Sequence, residues 1–262
     1  MTTDFIKIGS GADKALETIE KIMKSKGIVY NEERANKELA RREVELQKRI
    51  DEASMNYYKK QGGLKYSGMP IKYRDMKFSE LITTKENGQM IKTIAYYVKN
   101  YPQMRKGIGV IGEMGVGKTT MIAVTCKEIV ERYEQTLYFA SESTILNEIK
   151  NVIDDRSFDT PEDIIRRIAD NDLVVIDELG TTTNQWEISQ IKSVIDAVLN
   201  NNGKLFITSN YNAKDLLDRW GDGNTNKTPR QIRDRMEEAM NLYELKGQSF
   251  RRKAIGKYKW LE

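Results

Sequence analysis

A parallel α/β sheet flanked by helices is the fold class this sequence predicts, and three observations predict it. The stretch Gly112-Glu113-Met114-Gly115-Val116-Gly117-Lys118-Thr119 fits the phosphate-loop pattern G-x-x-x-x-G-K-[ST]. An apolar run, Gly107-Ile108-Gly109-Val110-Ile111, precedes it, and a helix-periodic stretch follows it, so the loop has its strand and its helix. Beyond the loop, short apolar runs alternate with amphipathic stretches of helix length, the rhythm of a parallel sheet with right-handed crossovers.

Residues 1–64 are set apart as a small helical region. Ala12, Ala15, Leu16, Ile19, Ile22 and Met23 recur at helical spacing, and Lys26-Gly27 closes that helix. A longer, heavily charged helix is expected over 31–60. Its stripe of Leu39, Leu46, Ile50, Ala53 and Tyr57 is too thin to build a core. It either lies along the main domain or serves as a partner-binding arm. Gln61-Gly62-Gly63 is a break, so the second domain is placed at 65–262.

That domain opens on an irregular lead-in, Tyr66-Ser67-Gly68-Met69-Pro70-Ile71-Lys72-Tyr73. A helix over 87–100 carries Met90, Ile91, Ile94, Ala95 and Val98 on one face and stops at Pro102. The strand 107–111 and the loop follow, then a helix over 119–133. Strand 136–140 precedes two helical segments, 143–154 and 161–169. Thr160-Pro161 supplies the second with an N-cap and a proline at its first position. Leu173-Val174-Val175-Ile176 reads as a strand buried on both faces and ends in Asp177-Glu178. Helices over 185–199, 213–220 and 228–240 and a strand over 204–208 complete the series. A short strand or hairpin closes it.

Composition narrows the chemistry. Lys and Arg number 43 against 39 Asp and Glu, a net charge of +4, so any nucleic-acid contact must come from a local patch. No apolar run approaches the roughly 20 residues that span a bilayer, and the first residues lack a signal-peptide pattern. A cytoplasmic protein without membrane contact is expected. With one cysteine, Cys126, and no histidine, a Cys/His zinc site and histidine acid–base catalysis are excluded. Cys126 reads as a small core residue.

The loop residues suit a nucleoside triphosphate. Glycines let backbone amides turn toward phosphate, Lys118 can reach the β- and γ-phosphates, and the Thr119 hydroxyl can hold Mg²⁺. Asp177 can hold the same ion, and Glu178 is the natural base or water-orienting group. Asn210, just past the strand 204–208, either orients the attacking water or is a turn residue. That strand is expected beside the one carrying Asp177. Arg230, Arg233 and Arg235 crowd one helix start, either solvated or as an arginine finger for a neighbouring subunit, and Arg251 and Arg252 form a second cationic pair.

In order, Gly112 to Thr120, Asp172-Leu173-Val174-Val175-Ile176-Asp177-Glu178-Leu179-Gly180, Ile207-Thr208-Ser209-Asn210, Ile232-Arg233-Asp234-Arg235-Met236 and Ser249-Phe250-Arg251 resemble the DnaC/DnaI-type helicase loaders. These are a branch of the AAA+ ATPases close to the IstB transposition ATPases. The likeness covers about residues 65–262. It implies an AAA+ P-loop core that binds ATP or ADP with Mg²⁺ through Gly112, Gly115, Val116, Gly117, Lys118, Thr119 and Thr120. Thr119 and Asp177 would be the metal residues, and Asp177 and Glu178 the Walker B pair. Asn210 would be sensor 1 and Arg251 sensor 2, with the arginine finger at Arg235 or Arg230. The family pattern has an arginine where this chain has Gln231. An insertion over 143–170 would offer Lys150, Arg156, Arg166 and Arg167 to single-stranded DNA.

The function so implied is ATP-dependent loading of a hexameric replicative helicase onto single-stranded DNA. The loader subunits would form a ring or spiral, six in the complex, and hydrolysis would be weak without partners. Two alternatives stand beside it: an IstB-like transposition helper, and a nucleotide-switched adaptor that sequesters a replication protein.

Overall fold

The structure is a computed structural model that describes residues 63–154, 159–221 and 227–250. Nearer the start it describes Lys21, Ser25, and residues 37–38, 40–47 and 49–50. The chain divides into two compact units, Met1–Ser54 and Met55–Glu262. In the first, the described residues of 37–50 are helical, Arg42 pairs with Glu38 one turn away, and Val44, Leu46 and Ile50 are exposed. Leu39, Ala53, Tyr57 and the break at Gln61-Gly62 lie outside the described residues, as does the expected first helix apart from Lys21 and Ser25, which are helical.

The second unit is built on five parallel strands: β1 (Gly107–Ile111), β2 (Leu137–Ser141), β3 (Leu173–Leu179), β4 (Lys204–Ser209) and β5 (Met240–Glu244). Their order across the sheet is β2-β3-β4-β1-β5. Every pair is parallel, so the closing segment is a strand beside β1 and not the arm of a hairpin. Two apolar clusters cover the two faces, and Val174, Val175 and Ile176 of β3 are divided between them, as a strand buried on both sides demands.

The helices are α1 (Ile71–Arg74), α2 (Gly88–Lys99), α3 (Lys118–Tyr133), α4 (Glu142–Asp154), α5 (Pro161–Ala169), α6 (Gln185–Asn200), α7 (Ala213–Arg219) and α8 (Thr228–Ala239). Their starts are written in the sequence. Thr160 caps α5 through the Asp163 amide, and Asp163 returns a bond to the Thr160 amide, a capping box with Pro161 at the first position. Asn184 and Asn212 cap α6 and α7 in the same way, through the amides of Glu187 and Asp215. Cys126 is buried within α3, and burial pushes its thiol pKa up, away from reactivity.

β1 and β4 approach closely because Gly107 has no side chain. A Cβ there would stand 1.8 Å from the Leu205 carbonyl oxygen, a backbone atom with no room to yield. Gly107→Ala is expected to cost roughly 1–3 kcal/mol as overpacking, about 3–10 °C in Tm for a domain of this size. A melting curve unchanged within 1 °C would contradict that packing.

Candidate nucleotide site

The site lies at the C-terminal ends of β1, β3 and β4, outside a sheet whose strand order places those three side by side. The loop between β1 and α3 wraps toward the helix start. Gly115 has φ 85°, and a Cβ on it would strike the Ser249 side chain at 2.2 Å, so only glycine fits between loop and C-terminal segment. The Phe250 amide donates to the Gly115 carbonyl at 3.0 Å, laying that segment on the loop.

Lys118 is the first residue of α3 and is only 7% exposed. Its ammonium donates to the carbonyls of Gly112 (2.8 Å) and Glu113 (2.7 Å) and to Asn210 Oδ1 (2.7 Å). Buried ammonium groups need such partners. Asn210 therefore reaches the site, with its carbonyl oxygen turned to the lysine.

Asp177 and Glu178 sit at a bulge. Ile176 pairs with Ile207 and Leu179 with Ser209, so two residues of β3 oppose Thr208 alone. Thr208 holds the irregularity: its hydroxyl donates to Asp177 Oδ1 and accepts the Glu178 amide at 3.0 Å. Thr119 Oγ1 donates to the same Asp177 oxygen at 2.9 Å. Glu178 is exposed, with φ 59° in the left-handed region, a conformation that costs roughly 1–2 kcal/mol for a side chain with a Cβ.

A cavity of about 400 Å³ opens over these groups. Residues 114–121 line its floor, with Glu178, Thr208 and Asn210 at one end and Tyr73, Met76, Leu81, Ile82 and Phe250 around the rest. Amides, a buried ammonium and an apolar wall fit a phosphate chain carrying an aromatic base. For a cation, Thr119 and Asp177 offer two hard oxygens, and the described residues contain no group of three His, Cys, Asp or Glu that could hold a metal. Mg²⁺ held by one carboxylate, one hydroxyl and nucleotide phosphates fits that donor set.

Of the residues picked out in sequence, Gly112, Gly115, Val116, Gly117, Lys118, Thr119, Thr120, Asp177, Glu178 and Asn210 come together here. Arg230 and Arg235 do not. They are on α8, where Arg235 is exposed and paired with Asp196 at 3.0 Å and Glu238 at 2.9 Å, and Arg230 is exposed. Arg251, Arg252 and Arg156 lie outside the described residues. In the α4–α5 insertion, Lys150 pairs with Glu187, Arg166 with Asp163 and Arg167 with Asp159. Sequence reasoning gave no role to Thr208 itself or to the walls from Tyr73 to Ile82. The buried hydroxyl one residue short of the β4 end was the available signal for Thr208. For the walls there was none beyond the lead-in's position before the core.

A family model described as IstB-like ATP binding protein matches residues 59–257. The chain belongs to that family. This IstB-like chain is also similar to the replicative helicase loader DnaI of Bacillus subtilis, 25% identical over 132 residues covering 48% of the chain and 41% of that protein. It thus spans less than half the length of that relative. Among solved structures it is similar to the DnaC helicase loader, with TM-score 0.57 and 23% identity over 68% of this chain and 100% of that one. It is likewise similar to AMPPCP-bound DnaA from Aquifex aeolicus, with TM-score 0.55 and 13% identity over 74% and 57%. At such identities the structures speak for the fold, which is the AAA+ P-loop core. The loader resemblance carried by the motifs is met again in these comparisons. Among the described residues no helix is long and apolar enough to cross a membrane.

Proposed function

We propose that this chain is an ATP-dependent loader that places a hexameric replicative helicase on single-stranded DNA. The observation that supports ATP chemistry most directly is the convergence of Lys118, Thr119, Asp177, Glu178 and Asn210 on one cavity over the phosphate loop. In this reading Lys118 and the amides of 115–120 hold the phosphates, and Thr119 and Asp177 hold Mg²⁺. The ion, when bound, neutralises charge on the transferring phosphoryl group. Glu178 takes the proton of the attacking water, and Asn210 keeps Lys118 aimed along the phosphates. Arg235 or Arg230, remote from their own cavity, act on the nucleotide of the neighbouring subunit, where such a residue is worth about 10³–10⁵ in rate. Arg251 acts as sensor 2.

The domain boundary is taken at 64/65: residues 1–64 grip the helicase, and 65–262 bind ATP in the cytoplasm. Six such subunits form a ring or spiral in the complex. Turnover by the isolated chain is slow because the finger arrives only with a neighbour. The α4–α5 insertion follows the DNA backbone, a salt-sensitive contact.

Light scattering on eluted mixtures tests the reading. The chain and its cognate replicative helicase are expected to co-elute with ATP, and residues 65–262 alone are expected to lose the complex. Absence of a complex in every nucleotide state would sink it. The IstB-like family match favours one second reading, a transposition helper. Preference for duplex over single-stranded DNA would select that reading.

A further inference from the structure

Glu142 is a carboxylate with no business at the surface. It opens α4 directly after β2 and is 0% exposed. One of its oxygens, Oε2, accepts the amides of Gly180 (3.1 Å), Thr181 (2.6 Å) and Thr182 (3.2 Å), and the Thr181 hydroxyl as well. Three successive amides converging on one oxygen form a nest of the kind that captures anions. Here the anion is the chain's own. The other oxygen, Oε1, is buried with no hydrogen-bond partner among the described residues. Burial raises the Glu142 pKa, and the bonds from Thr181, Thr182 and Gly180 oppose that rise. An arrangement that leaves a buried carboxylate oxygen without a partner is costly to the fold.

The segment so gripped begins two residues after Glu178, whose own backbone is in the left-handed region. It is held from the opposite side too. Arg219 Nε donates to the Gly180 carbonyl at 3.1 Å while its guanidinium lies 4.4 Å from the centre of the Tyr211 ring, next to Asn210. Farther along α4, Lys150 pairs with Glu187, and Glu187 accepts the Thr182 hydroxyl. One helix therefore touches the segment behind Glu178 twice, at Glu142 directly and at Lys150 through Glu187.

We infer that Glu142 is a positioning residue for Glu178, and that α4 sets the alignment of the base for water attack by holding the 180–182 backbone. The inference rests on the ATPase reading above. It adds that whatever engages the α4–α5 insertion changes turnover before it changes ATP affinity, since the ties run to the segment behind Glu178 and not to the phosphate loop.

The test compares Glu142→Ala, Glu142→Asp and Glu142→Gln in the full chain with helicase and single-stranded DNA. Glu142→Ala is expected to lower kcat at least tenfold with KM for ATP within twofold. Glu142→Asp, one methylene short of the nest, should fall in the same direction. Glu142→Gln keeps an accepting oxygen for the amides and should retain kcat within threefold. A fall in nucleotide affinity instead of kcat, or no rescue by glutamine, would overturn the role. Amide hydrogen exchange at Thr181 and Thr182 in the nucleotide-free chain reads the clamp itself. It should quicken at least tenfold in Glu142→Ala or Glu142→Asp and stay as in the parent in Glu142→Gln. Absence of turnover in the parent would remove the ATPase reading, and the exchange data would still decide the clamp: unchanged exchange in both the alanine and the aspartate variants overturns it.

Discussion

Lys118→Ala is expected to bind ATP one to two orders of magnitude more weakly than the parent chain. The lysine is buried at the floor of the cavity, and it donates to two carbonyls of the loop that must cradle the phosphates. Its removal therefore acts twice. A charge-assisted bond to the ligand is lost, worth roughly 1.5–3 kcal/mol, and each 1.4 kcal/mol is tenfold in affinity. The loop also loses the cation that draws Gly112 and Glu113 together with Asn210. Lys118→Arg should fail as well, because a rigid planar fork cannot meet three acceptors converging on one ammonium. Calorimetric titration of ATP checks both variants. A dissociation constant within threefold of the parent in Lys118→Ala would show that the loop holds phosphate by its amides alone.

Glu178→Gln is expected to leave ATP affinity within threefold and to reduce turnover by about 10²–10⁴, the range that general acid–base groups contribute. The separation follows from how the residue is held. Its backbone amide is fixed by Thr208, while its side chain points out into the cavity, so glutamine inherits the same backbone. Glu178→Gly is the informative companion. Glycine removes a left-handed strain of roughly 1–2 kcal/mol and returns about 0.5–1 kcal/mol of that as chain entropy. The glycine variant should melt slightly above the parent while losing turnover to the same degree as glutamine. Single-turnover hydrolysis and a melting curve on both variants decide the matter. Full activity in Glu178→Gln would move the base elsewhere.

Much of this was legible in the residues because it depends on local rules. Thr160 announced a helix start by side-chain chemistry, and Val174, Val175 and Ile176 announced a strand with two buried faces. The loop motif, the acids near the end of β3 and Asn210 after β4 converge because parallel strands deliver their ends to one edge. The rest was hidden because it depends on which strands become neighbours and in what register. Thr208 holds a bulge that exists only when β4 lies beside β3. Phe250 joins the cavity because the segment after β5 turns back onto Gly115, a contact between residues far apart in the chain. Glu142 was given no role from the sequence, because its burial is a property of the fold and not of the helix.

The cavity has walls from both flanks of the sheet: Tyr73 to Ile82 before β1, and Phe250 after β5. A fragment trimmed to the strands and the helices between them, from Gly107 to Glu244, would keep every hydrogen-bonded strand and lose both walls. It would also lose Met69, Ile94, Tyr97, Val98 and Tyr101 from the apolar cluster on one face of the sheet, so the segment before β1 serves the core as well as the cavity. A nucleotide lying between those walls would act as a staple across the ends of the domain, drawing together segments that the sheet leaves at opposite limits of its sequence.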